Sequence, residues 1–294
     1  MPRFLVSLFS FLITIATFAA PISGDARTTE LLAKARAALG GDSRLAKVQG
    51  LSASGTLSRA VNESQVTGEV TLDLQLPDKM LRTESMSPMG DATIVTETGV
   101  NGDTLLRHSR TIGGGPNMII RIPGPPPRGS DAEAQALRNS RAELARLSLA
   151  FLLTAPSIPL EFAYGGEAEA EDGKADVIDV KGPGSFAARL FLDKTSHRPL
   201  MLVYKGAAQG MVMRTQTSDG PPDPARIERT ARDAAAPPPP LVDINMFFDD
   251  YKHIDGVWLP HHVTRSVDGK PTEEWILKTI TVNPAFKPDT FSAK

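Results

Sequence analysis

The stretch FFDDYKHIDGVWLPHHV, Phe247 to Val263, sets two aspartates, Asp249 and Asp250, close to His253, His261 and His262. Carboxylates and imidazoles at this density are raw material for a metal centre or a general acid–base pair. The spacing argues against both. Asp255-Gly256 is a hairpin signal that pairs Leu241–Lys252 with Val257–Val267. Neighbouring side chains on a strand point to opposite faces, so His261 and His262 cannot share an ion, and neither can Asp249 and Asp250. Across a two-residue turn Asp249 opposes His262 and Asp250 opposes His261. A four-residue turn puts Phe247 and Phe248 opposite those histidines instead. Neither register gathers the three ligands and supporting hydrogen bonds of a catalytic metal, so the stretch reads as a hairpin.

The next turn, Asp268-Gly269, predicts a hairpin in which His262 opposes Trp275 and Trp258 opposes Thr279. Trp258, Pro260, His262, Trp275 and Leu277 then share a face without formal charge, and Arg265, Glu274 and Lys278 take the other. Two readings of the tryptophans remain open. They are core beneath a helix, or they line a lipophilic pocket between sheet and helix.

Other chemistry is sparse. GDSRL at Gly41 has the form of a serine-hydrolase signature, but it follows a helix and precedes an all-β run. Asp42 or Ser43 is expected to cap the next turn instead. Zinc-protease HExxH, phosphate-cradling GxxxxGK[ST] and dinucleotide GxGxxG patterns do not occur. The chain has 0 cysteines, which removes disulfides, thiolate metal sites and cysteine nucleophiles. No catalytic residue, metal or cofactor is expected. The net charge of −2 and the lack of a long basic block give nucleic-acid binding no electrostatic support.

The elements that would position these residues follow from periodicity. TTELLAKARAAL, from Thr28 to Leu39, reads as a helix capped by Thr28 or Thr29 and ended by Gly40-Gly41. Period-two alternation then takes over, as in QVTGEVTLDLQL with Val66, Val70, Leu72, Leu74 and Leu76. Ser130 to Glu133 is a capping box opening a second helix to about Leu153, with Leu137, Leu144, Leu147 and Phe151 as one stripe and Arg138, Arg141 and Arg146 off it. A single amphipathic helix among strands must cover a sheet face. Strands resume after Tyr164 and continue to EEWILKTITV. The sum is an α+β chain: one large, curved antiparallel sheet of about ten strands around an N-terminal helix and an inserted helix. Two Pro/Gly-rich loops, 113–129 and 219–240, interrupt it, and the first is expected to act as a flap.

The beginning of the chain has signal-peptide order: Arg3, an apolar run from Phe4 to Ala20, then PISGDA. Ser7, Ser10, Thr14 and Thr17 interrupt the run, which is short of the roughly 20 apolar residues a spanning helix needs. Cleavage near Ala26 is expected, leaving an exported chain, 27–294, that forms one domain without a stable transmembrane anchor.

The order of elements, with ARLFLDKTSHRPLMLVYKG and FDDYKHIDGVWLPHHV, resembles the LolA-like superfamily of periplasmic lipoprotein carriers and lipoprotein-sorting proteins. The best-matching pieces are Asp193 to Leu200 and Asp255 to Pro260. The resemblance implies an unclosed half-barrel whose concave face holds lipid or lipoprotein acyl chains without catalysis. On this chain Leu144, Leu147, Phe151, Trp258, His262, Trp275 and Leu277 are the expected ligand-binding residues. The alternative is an envelope sensor or scaffold working through a protein partner. A metal-assisted hydrolase built on Asp249, Asp250, His261 and His262 is the weakest reading.

Overall fold

The computed structural model describes residues 25–61, 64–89, 92–114, 126–153, 159–170, 173–207 and 241–293. All but the last two residues of the expected signal peptide, most of the expected flap and all of the second loop lie outside the described residues.

The first helix, α1 (Ala26–Ala38), starts two residues earlier than its sequence pattern suggests. Asp25, in extended conformation, accepts the Thr28 N–H at 2.7 Å and takes the capping role expected of the threonines. A carboxylate at this position also meets the positive end of the helix dipole. Leu31, Leu32, Ala35 and Leu39 form the buried stripe. The short α2 (Asp42–Leu45) is entered through Gly41 without a side-chain cap. Asp42 pairs instead with Arg36 of α1, so neither Asp42 nor Ser43 caps the turn.

Twelve strands follow: β1 (Gly50–Val61), β2 (Ser64–Gln75), β3 (Lys79–Met89), β4 (Ala92–Asn101), β5 (Thr104–Ile112), then α3 (Asp131–Leu152), β6 (Glu161–Ala170), β7 (Gly173–Gly182), β8 (Phe186–Asp193), β9 (Pro199–Ala207), β10 (Leu241–Ile254), β11 (Val257–Val267) and β12 (Lys270–Val282). They form one antiparallel sheet ordered β5-β4-β3-β2-β1-β12-β11-β10-β9-β8-β7-β6. Every neighbour is a sequence neighbour except β1 and β12, whose pairing joins two meanders into one surface. The sheet stays open, with β5 and β6 as its edges.

Strand alternation buries one face of this sheet in a single apolar cluster that also holds the buried stripes of α1 and α3. The sheet therefore wraps around the two helices. α1 is fixed by its C-terminal end: the Trp258 N–H donates to Leu39 O at 2.9 Å. A Cβ on Gly40, at φ +127°, would meet Gly256 O at 2.4 Å, so only glycine lets the helix end approach the β10–β11 turn so closely. α3 opens as expected, with Ser130 Oγ accepting the Glu133 N–H at 3.1 Å. Glu133 reaches back one residue further than a capping box requires, to the Gly129 N–H.

Candidate functional site

α3 lies on the concave face between the two open edges. It is also the chain segment that connects them, running from β5 to β6. It touches β4, β5, β8, β9 and β11, and buries Leu144, Leu147 and Phe151 to 3% exposure or less. Trp275 and Leu277 of β12 face the same interior, each at 1% exposure.

His262 does not join them, and Trp258, half-buried, packs only against the margin of the cluster. The β10–β11 hairpin has the two-residue turn and pairs Asp249 with His262. In the β11–β12 hairpin, Val267 pairs with Lys270, but a bulge between Arg265 and Ser266 shifts the register by one residue. His262 then opposes Ile276, and Val263 opposes Trp275. Because strand faces alternate, one residue of slip exchanges the faces of the two strands relative to each other. Leu259, Val263 and Arg265 point inward with Glu273, Trp275 and Leu277, while Trp258, His262 and Glu274 point outward. The expected uncharged face does not exist as drawn: the inner face carries Arg265 and Glu273.

On the outer face His262 sits between two carboxylates, with Nδ1 2.8 Å from Asp249 and Nε2 2.8 Å from Glu274. Partial burial lowers its pKa, but these two hydrogen bonds and charges outweigh burial and raise it above the ordinary histidine value. The carboxylates engage opposite ring nitrogens, so they do not converge on one ion. His261 is buried, with Nδ1 3.1 Å from Leu259 O, and Asp250 is exposed at φ +48°. Among the described residues no three histidines or carboxylates are placed to hold a metal. Trp258 is half-buried against Arg198, whose guanidinium stands 4.0 Å from the ring centroid.

The interior holds something the sequence pattern did not announce. Where α3 crosses the sheet, four arginines and three glutamates meet inside the groove: Arg59, Arg82, Glu84, Glu143, Arg146, Arg265 and Glu273. Glu273 is the hub. It accepts from Arg59 Nε at 2.9 Å, Arg82 Nη2 at 2.9 Å and the Trp275 indole N–H at 2.9 Å, and Arg265 lies 3.6 Å away. Arg59 grips Glu84 with both Nη atoms, at 2.8 and 2.7 Å. Glu143 of α3 pairs with Arg265 and, at 3.5 Å, with Arg146. The aromatic rings join in: Arg82 and Arg265 stand 4.7 and 5.1 Å from the Trp275 ring centroid, and Arg146 stands 3.8 Å from that of Tyr204.

Burial alone would raise the Glu273 carboxyl, but Arg82, Arg265 and Arg59 outweigh it and hold the group well below the usual carboxylate range. Glu143 is likewise kept low, by Arg265, Arg146 and Arg82 against burial. The four arginines exceed the three glutamates by one charge. Nε of Arg82, Arg146 and Arg265 is buried without a hydrogen-bond partner among the described residues. Such a cluster is expensive to desolvate and contributes little stability relative to apolar packing.

A signal for these residues was present. Met80-Arg82-Glu84-Met86 and Leu57-Arg59-Val61 each place charges on the parity of their apolar neighbours, which is the inward one. A cleft of about 20 Å³ between Val61, Val66, Glu84, Met86, Pro88, Ile94 and Thr96 lies beside Glu84, far short of the ~300 Å³ of a usual ligand pocket. Among the described residues, α3 itself occupies the apolar interior of the groove.

No family model matches the chain, and no curated protein matches it. Solved structures are similar to it. One is a DUF1329 family protein from Desulfovibrio piger, at 9% identity, covering 90% of this chain and 96% of that one with a TM-score of 0.44. Another is a LolA superfamily protein from Nitrosomonas europaea, at 8% identity, 90% and 97% coverage and a TM-score of 0.44. A third is a putative outer membrane lipoprotein-sorting protein domain from Vibrio parahaemolyticus, at 11% identity, 90% and 96% coverage and a TM-score of 0.41.

Proposed function

We propose that this protein is an exported, periplasmic binder of a lipophilic ligand, held between α3 and the concave face of the sheet. The observation that carries the reading is the position of α3: the segment that joins the two unpaired edges of the sheet is also the plug of its groove. Leu144, Leu147 and Phe151 occupy apolar space that an acyl chain would fill once the helix moves aside, against a floor that includes Trp275 and Leu277.

The exchange is balanced in magnitude. Uncovering Leu144, Leu147, Leu149, Phe151 and Leu152 costs about 7–15 kcal/mol at roughly 1.5–3 kcal/mol per side chain. A chain of about 15 methylenes returns roughly 12 kcal/mol at about 0.8 kcal/mol each. Ligand and helix can therefore compete for one groove, and no bond need be made or broken for a carrier to load and release.

The test is native mass spectrometry of the mature chain purified from its own envelope, with lipid extraction of the same sample. A co-purifying lipid or acylated species, together with loss of hydrogen-exchange protection over residues 131–152 on loading, supports the reading. A bare mass that persists after incubation with envelope lipids refutes it.

A scaffold role has one observation in its favour. The edge strands β5 and β6 present unpaired backbone to which a partner strand could add. A carrier keeps its ligand when residues 220–240 are deleted, whereas a scaffold that uses that loop loses its partner.

A further inference from the structure

Within the buried cluster the sheet and the helix contribute unequally. The sheet supplies Arg59, Arg82, Arg265, Glu84 and Glu273, which is three guanidiniums against two carboxylates. Arg59 and Arg82 each engage both sheet carboxylates. Arg265 is the one left over. Its close partner is Glu143, from α3, and its nearest sheet carboxylate, Glu273, stands 3.6 Å away. Its Nε, buried, has no partner among the described residues. With α3 lifted, the sheet would present one unbalanced guanidinium stacked on Trp275, at the head of an apolar trough.

The helix fills that trough in a particular order. Glu143 comes first, and Leu144, Leu147 and Phe151 follow along one face. At about 1.5 Å per residue this is a carboxylate trailed by roughly 12 Å of buried apolar surface. That is the layout of a single-chain anionic amphiphile, with the head on Arg265 and the tail along the sheet.

Resting on the lipophilic-binder reading above, we propose that α3 is a built-in mimic of the ligand. The ligand is an amphiphile with an anionic oxygen head, carboxylate or phosphate, which takes the place of Glu143 at Arg265 while its acyl chain takes that of Leu144, Leu147 and Phe151. Glu143 is then an autoinhibitory residue and Arg265 the residue that selects the head group. A neutral amphiphile of the same length would have to leave Arg265 buried without its counter-charge, which is strongly unfavourable.

The experiment measures binding of palmitate, hexadecyl phosphate and hexadecanol, each below its micellar concentration, to the full mature chain and to Glu143→Gln and Arg265→Gln. The wild type is expected to bind at least one of the two anions about tenfold or more tightly than the alcohol, and the stronger of the two names the head. E143Q removes the counter-charge from the closed state only, so it should tighten that anion and hexadecanol alike, about tenfold, and leave the preference between them unchanged. R265Q should abolish the preference. Should R265Q fail to fold, E143Q and the wild-type comparison decide the matter between them. Equal binding of all three ligands by wild type and E143Q would leave the groove lipophilic and overturn the head-group assignment alone. Binding of none of them would overturn this proposal together with the lipophilic-binder reading.

Discussion

Replacing Glu273 with glutamine tests whether the buried cluster is arranged as described, because the change keeps the side chain's shape and deletes one charge. Glu273 serves Arg59, Arg82 and the Trp275 indole at 2.9 Å each, with Arg265 at 3.6 Å. With glutamine there, four arginines face only Glu84 and Glu143, and the buried surplus grows from one positive charge to two. Breaking a buried pair from one side typically costs about 3–5 kcal/mol. At roughly 2–4 °C per kcal/mol for a domain of this size, the thermal midpoint should fall by about 6–20 °C at pH 7. Glu274→Gln is the control: the adjacent carboxylate lies on the opposite face and partly exposed, where an ion pair is worth about 1 kcal/mol or less.

The pH dependence supplies a second sign. Because the folded-state pKa of Glu273 is depressed, its contribution is full above the unfolded value of about 4.3 and is lost as pH falls below it. The gap between wild type and Glu273→Gln should therefore be flat from pH 5 to 8 and narrow in acid. Urea melts across that range check both. Equal destabilisation by the two glutamine variants, or a gap that widens in acid, would refute the placement of Glu273 inside the groove.

Two further outcomes follow from the register of the β11–β12 hairpin. Trp275→Ala should cost about 3–5 kcal/mol by denaturant unfolding, as for a large aromatic removed from a packed core. Trp258→Ala, at a half-buried position on the other face, should cost clearly less, and a reversed ranking would restore the unbulged register. His262 has a raised pKa, so its contribution is full below the unfolded value of about 6.5 and is lost as pH rises through the folded one. The stability difference between wild type and His262→Gln should shrink above pH 6.5, and the imidazole titration by NMR should centre above 6.5. A midpoint below 6.5 would mean that Asp249 and Glu274 do not hold the ring.

What was legible in the sequence was legible through local rules. Asp255-Gly256 gave the two-residue turn and with it the Asp249–His262 pairing; Ser130 gave the start of α3, and its apolar spacing gave the buried stripe. β6 was missed because EFAYGGEAEA is built from glycine, alanine and glutamate, which are depleted in strands; its pairing with β7, around a shift at Tyr164 and Gly166, makes it one. The largest error came from one bulge. A hairpin register propagates from its turn, so the extra residue on β12, Thr272, opposite the Arg265/Ser266 step, exchanged the inside and outside of β12 relative to β11. The cluster was harder still. Its seven residues come from β1, β3, α3, β11 and β12, and only the closing of two meanders through β1 and β12 brings them together.

Charge in the middle of an apolar groove follows from what a displaceable helix needs. An all-apolar interface under α3 would be more stable when closed, but every side chain lifted into water would lose its full transfer free energy. Glu143 and Arg146 behave differently. Closed, they carry a desolvation penalty that their mutual pairing and Arg265 only about offset; open, they regain hydration. The ionic part of the contact therefore fixes where α3 sits without adding much to the free energy of lifting it. The apolar part, Leu144 to Phe151, sets that free energy at a scale one acyl chain can match. On the proposed mechanism, a variant with Glu143, Arg146 and Arg265 all replaced by leucine, which leaves Arg59 and Arg82 balanced by Glu84 and Glu273, should be no less stable than the wild type, yet load ligand more slowly. A triple variant that loads as fast would show that the charges have no part in release.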